Sequence, residues 1–84
     1  MKLNDTIEMM ISDDYKERFK AEYYQLGIRL NGLLSMLQKW DAGELNFVPT
    51  CSREIYTKQV QAMEDYLNIL LERACMENII FNSK

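Results

Sequence analysis

The chain has no histidine, a single proline, three glycines and two cysteines among its 84 residues. Without histidine the commonest general base is missing, and so is the usual companion of cysteine in zinc sites. Cys51 and Cys75 lack the paired spacing of a metal knuckle and read as free thiols of a reducing compartment. No G-x-S-x-G turn and no Gly-rich phosphate loop occurs. No apolar run approaches the ~20 residues that a bilayer span requires. The N-terminus MKLNDTIEMMI has no continuous apolar stretch of the kind a signal peptide carries, so the expected location is the cytoplasm. The net charge of −3 provides no basic stripe, and direct DNA binding is not expected. Acids are plentiful but alternate with bases. Glu17 among Lys16, Arg18 and Lys20 is a solvated helix face, not a catalytic pair. These absences argue against an enzyme: no catalytic residue, no metal site and no cofactor is assigned.

What is present is the apolar content of a folded protein, 48%. The length allows one domain, 1–84, whose own core gives a thin margin of stability. Phe19, Tyr23, Leu26, Leu30, Leu33, Leu37 and Trp40 follow one another at 4-3-4-3-4-3, a heptad seam that predicts a helix over 12–41. Ser12 is its expected N-cap, with Asp13 and Asp14 behind it, and Gly43 its expected stop. A second seam of the same pitch, Tyr56, Val60, Met63, Leu67, Leu70 and Ala74, predicts a helix over 52–76. The connection, 42–51, carries Leu45, Phe47 and Val48 and is expected to fold back over the helix ends.

The fold class is therefore all-α: an antiparallel two-helix hairpin with short terminal extensions, 1–11 and 77–84. Asn4 is a candidate cap for a short helix from Asp5 to Ile11, and the tail NIIFN, Asn78 to Asn82, reads as a strand or an extended arm. Each long helix also carries a second apolar row, Ile28 and Met36 on the first and Ile55, Ala62, Tyr66 and Ile69 on the second. A hairpin cannot cover both rows by itself, which predicts a homo-oligomeric bundle.

Binding chemistry is better supplied than catalysis. Five tyrosines offer flat apolar faces with a polar tip, and Arg18, Arg29 and Arg73 fall on the helices, where a guanidinium grips phosphate in two parallel hydrogen bonds. Gly27 and Gly32 each cost a helix about 1 kcal/mol relative to alanine, a cost tolerated where another helix or a ligand approaches the backbone. Tyr23 and Tyr56 lie on the seams as core residues. Tyr15, Tyr24 and Tyr66 lie off them and are the better candidates for an interface or a ligand.

The runs DYKERFKAEYYQL, KWDAGELNFVPTC and QVQAMEDYLNILLERA resemble a family of small phage and prophage proteins, best populated in gut phages of the crAss type. The segment Q-x-x-A-M-x-x-Y-L-x-I-L-x-x-R is also similar to the hairpin domain of anti-CBASS and anti-Thoeris sponges. That resemblance implies a helical oligomer that sequesters a cyclic nucleotide signal between subunits without cleaving it. It implies Tyr15 as a stacking residue, Arg29 and Arg73 as phosphate contacts, and Met63 and Tyr66 as residues shaping the pocket. The chain departs from the pattern in carrying Gly27 and Gly32 where relatives often place lysine, and Ser52 where proline commonly opens the second helix. The alternative partner is a host defence protein, bound and blocked in the manner of an anti-CRISPR. A structural phage protein with no ligand is the third reading.

Overall fold

The computed structural model describes residues 1–81, and among them no strand occurs. A 3-10 turn, Leu3–Thr6, leads into the short helix α1 (Ile7–Met10), followed by α2 (Tyr15–Asp41) and α3 (Arg53–Met76). The all-α class is as expected, but three α-helices form. The start of α2 touches the end of α3, Tyr15 against Glu77, and the end of α2 touches the start of α3, Asp41 against Arg53. The two long helices thus run antiparallel. The molecule measures 43 × 24 × 22 Å, its long axis set by α2, whose 27 residues extend about 40 Å. None of the described helices is long and apolar enough to cross a membrane.

The helix ends show how local chemistry sets the boundaries. α2 begins at Tyr15, later than the predicted residue 12, because Asp14 and not Ser12 is the cap. The Asp14 carboxylate accepts from the Lys16 N–H at 2.9 Å, and the Ser12 hydroxyl is used up on the Asp14 N–H at 3.0 Å. A carboxylate is the stronger acceptor and answers the positive end of the helix dipole. α2 ends as predicted at Gly43, whose φ of 72° lets the Gly43 and Glu44 N–H groups return to the carbonyls of Trp40 and Lys39. Ser52 caps α3 by accepting from the Ile55 N–H at 3.3 Å. At the far end Asn78 takes the left-handed position at φ 56°, and the Ile79 N–H closes on the Ala74 carbonyl at 2.9 Å.

That reversal decides the fate of the tail. Ile79 turns inward and is buried with Phe19, Leu26, Leu70 and Ala74. Phe81 then stacks on Tyr23 with ring centroids 4.2 Å apart. The tail is a short packed arm as far as Phe81, with no strand; Asn82 and the rest of the 77–84 extension lie outside the described residues.

The N-terminal extension also packs. The predicted cap Asn4 lies inside the 3-10 turn, and Lys2 holds the cap position, its N–H donating to the Asp5 carboxylate at 2.8 Å. Thr6 is fully buried. Its hydroxyl donates to the Leu3 carbonyl at 2.6 Å and accepts from the Gln25 amide at 2.9 Å. The Gln25 amide also reaches Met10 Sδ at 3.3 Å, so the extension lies against α2.

The connection behaves differently from its expectation. Leu45 is half-buried, but Phe47 and Val48 are exposed, Val48 at 92%. Trp40 and Tyr56 pack edge to face at 5.8 Å across the helix ends, and Leu45 and Phe47 border a groove with Met36 and Lys39 of α2.

Candidate functional site

At the end of the molecule where α2 begins and α3 ends, the two helices place three polar side chains in contact. The Tyr15 hydroxyl donates to Glu77 Oε1 at 2.7 Å and accepts from Arg73 Nη2 at 2.8 Å, while Arg73 Nε donates to Glu77 Oε2 at 3.2 Å. The positions follow from helix periodicity. Tyr15 opens α2 next to the last turn of α3, and Arg73 and Glu77 stand one turn apart on the same face. The Arg73 guanidinium also lies over the Phe19 ring, 4.9 Å from its centroid, so a core residue serves as its platform. Lys16 reaches the Asn78 carbonyl at 3.4 Å, which puts two cations beside one carboxylate.

The electrostatics are those of a coupled trio. The Tyr15 phenol is raised above its ordinary value, chiefly because its hydroxyl donates to Glu77. Glu77 is held below the usual carboxylate range, first by that hydrogen bond and then by Arg73. Arg73 Nη1 has no partner among the described residues, and the side chain remains 43% exposed. The Arg73 guanidinium, the 45% exposed Tyr15 ring and Lys16 thus stand together on one surface around the Glu77 carboxylate.

Two of the five residues singled out from the sequence, Tyr15 and Arg73, meet here. Tyr66, 42% exposed, sits two turns back along α3 and donates its hydroxyl to Glu22. Met63 is half-buried and packs against the cluster of Phe19, Leu26 and Leu70. Arg29 is exposed on α2 with no hydrogen-bond or ion-pair partner among the described residues. It stands fourteen positions beyond Tyr15, about 21 Å along the helix, so one chain does not bring it to the trio. Glu77 and Phe19 were not singled out. The one-turn spacing of Arg73 and Glu77 is a sequence signal for the first, but nothing in the sequence marks a core phenylalanine as a guanidinium platform.

The opposite end offers a groove of about 260 Å³ between α2 and α3, lined by Leu34, Leu37, Thr57 and Val60 with Asp41 and Arg53 beside them. Arg53 is fully engaged. It forks onto the Asp41 carboxylate at 3.1 and 3.2 Å and donates to the Thr57 hydroxyl at 2.8 Å. Arg53 holds the Asp41 carboxyl below its ordinary value. The groove is mostly apolar and falls below the 300 Å³ or so at which ordinary ligand pockets begin. Gly27 and Gly32 line two further grooves on α2, of about 240 and 280 Å³, and a Cβ added at either would meet nothing within 4 Å. Within one chain, neither glycine is explained by close packing. Cys51 and Cys75 are exposed free thiols, and no group of three or more potential metal ligands occurs among the described residues.

The family model named Sequestin matches residues 13–76. That span takes in α2, the connection and α3, and omits the N-terminal extension and the tail arm. No curated protein and no solved structure matches the chain. With both long helices and the loop between them inside the match, the chain belongs to the Sequestin family.

Proposed function

We propose that the protein acts by stoichiometric binding, holding a cyclic nucleotide signal of a bacterial defence system between its own subunits and leaving it intact. In this reading it is a phage-encoded counter-defence protein of the host cytoplasm. The family name supports a sequestering role. The observation that carries the ligand class is the Tyr15–Arg73–Glu77 trio over Phe19. A phosphate takes the free edge of Arg73 and competes with Glu77 for the rest, while the exposed face of Tyr15 accepts a base. Arg29 supplies a second cation from a neighbouring subunit, since its own chain holds it about 21 Å away.

Thermal shift with cyclic di- and trinucleotides and cyclic ADP-ribose isomers at about 100 µM tests this, because a ligand that binds only the folded state raises apparent stability by mass action. The expected result is a rise in Tm that shrinks with added salt, with the nucleotide recovered unaltered after denaturation. No rise with any of them removes the small-molecule reading.

A second reading is favoured by Phe47 and Val48, which stand exposed on the loop. A protein-binding inhibitor of a host defence effector would use that apolar tip as its anchor. It would show no nucleotide response, and Val48→Asp would abolish its inhibition.

A further inference from the structure

In the free protein the fork of Arg73 already holds an anion. Nε donates to Glu77 Oε2 at 3.2 Å and Nη2 to the Tyr15 hydroxyl at 2.8 Å, and that hydroxyl donates in turn to Glu77 Oε1 at 2.7 Å. The Nε–Nη2 edge of a guanidinium is one that gives a carboxylate or a phosphate two parallel hydrogen bonds. Here a carboxylate oxygen and a phenol oxygen occupy it together, so an incoming phosphate meets a filled edge. Glu77 is held below the usual carboxylate range, first by the Tyr15 hydroxyl, and is ionised at neutral pH.

α3 by itself does not favour this placement. Arg73 stands one turn N-terminal to Glu77, the weaker order for an ion pair on a helix. Glu77 is also the C-cap of α3, where the negative end of the helix dipole repels a carboxylate. What holds it there is α2: the Tyr15 hydroxyl makes the shortest bond of the trio, and the charge of Lys16 adds to it. The Arg73 side chain is 43% exposed and that of Glu77 33%, so water and salt weaken their pair further. A carboxylate kept in place by a neighbouring helix, against the field of its own, is displaceable. Nη1, with no partner among the described residues, gives an incoming anion its first hold.

We infer that Glu77 is an internal competitor: its carboxylate fills the position between Arg73 and Tyr15 in the free protein, and a phosphate-bearing ligand binds there by displacing it. In the exchange Arg73 Nε and the Tyr15 hydroxyl turn from the carboxylate to phosphate oxygens. Every phosphate that binds at this point meets the same penalty, because only the opened form is competent. A lone phosphate gains nothing to offset it. A phosphate attached to a flat ring also gains the exposed face of Tyr15. Small free anions are thereby kept off the guanidinium, and the site is left to ligands that bring both groups. The inference rests on the proposed phosphate site at this trio, but its test involves no cyclic nucleotide.

Inorganic phosphate and phenyl phosphate are titrated into the wild-type chain, Glu77→Gln, Glu77→Asp and Glu72→Gln, with binding read from phosphorus NMR line widths. Glutamine keeps an acceptor for the Tyr15 hydroxyl but loses the charge. Aspartate keeps the charge on a side chain one methylene shorter, too short to span both partners. Both Glu77 variants should bind each probe about three- to tenfold more tightly than wild type, and by the same factor for the two probes. Glu72→Gln, which removes an exposed charge of the same helix, should change either affinity by less than about twofold. Unchanged affinity in both Glu77 variants overturns the inference, and so does weaker binding, which would make Glu77 a ligand contact or a support for Arg73. A gain in Glu77→Gln that Glu77→Asp lacks marks the field of the charge alone and overturns it as well. So does an absence of probe binding in every variant. If Glu77→Gln loses helicity, Glu77→Asp decides. A failed cyclic nucleotide screen beside a gain in both Glu77 variants removes that ligand and leaves the competitor, whereas nucleotide binding that neither variant strengthens does the reverse.

Discussion

The two ends of this molecule are built from the same heptad seam and reach different densities. At the end where α2 begins and α3 ends, Phe19, Leu26, Leu70, Ala74 and Ile79 are buried together, and Tyr23 and Phe81 stack over them. At the loop end Leu37 is buried, but Leu34 is 37% exposed and Val60 only half-buried, with a groove between them. The difference lies in what is added to the two rods. The first end receives a third layer, Ile79 to Phe81, whereas the loop end leaves Phe47 and Val48 exposed and relies on Trp40 against Tyr56. A two-helix seam gives a narrow core, and a third element closes it.

Substitutions should expose that asymmetry. Leu70→Ala removes the most buried large side chain and should cost about 2–5 kcal/mol, whereas Val60→Ala should cost about 1 kcal/mol. Urea denaturation of both would break the comparison if the costs were equal. Phe81→Ala removes a half-buried ring that stacks on Tyr23 and should cost about 1–2 kcal/mol. Gly27→Ala and Gly32→Ala should each stabilise the isolated protein by about 0.5–1 kcal/mol, because an added Cβ meets nothing within 4 Å. A loss of nucleotide response in either variant, with Tm raised, would show that a ligand approaches that backbone.

The smallest effect is electrostatic and sharpens the contrast between the ends. Glu77 and Asp41 both have folded-state pKa values below their ordinary 4.5 and 3.8. A depressed carboxyl contributes stability that is present above its unfolded value and lost as pH falls through the folded one. Acid titration of Tm should therefore fall from about pH 4.5 downward, with Glu77→Gln flattening the upper part of that limb and Asp41→Asn the lower. Both pairs are exposed, and high salt should weaken both.

Much of the framework is legible in the residues. The seams at 4-3 spacing gave both long helices, and Gly43 and Ser52 marked a stop and a start by their own backbone chemistry. Ser12 and Asp14 are both good cap residues by type, and the boundary falls where the Asp14 carboxylate, the stronger acceptor, takes the Lys16 N–H. The packed ends were less legible. Thr6 and Ile79 are buried by contacts with distant residues, Gln25 for one and Phe19 and Leu26 for the other, which no short-range period encodes. In the candidate site, Tyr15 and Arg73 stood out by residue type and position off the seam. Their meeting at 2.8 Å depends on the register of α2 against α3, and so does the role of Phe19 beneath the guanidinium.

Calorimetric titration of cyclic nucleotides into the wild-type protein and Arg73→Ala, followed by analysis of the nucleotide released on denaturation, addresses the central claim most directly. Saturable binding that Arg73→Ala weakens at least about tenfold, with intact nucleotide recovered, is the predicted outcome. Affinity unchanged by Arg73→Ala, or recovery of a cleaved product, would contradict it.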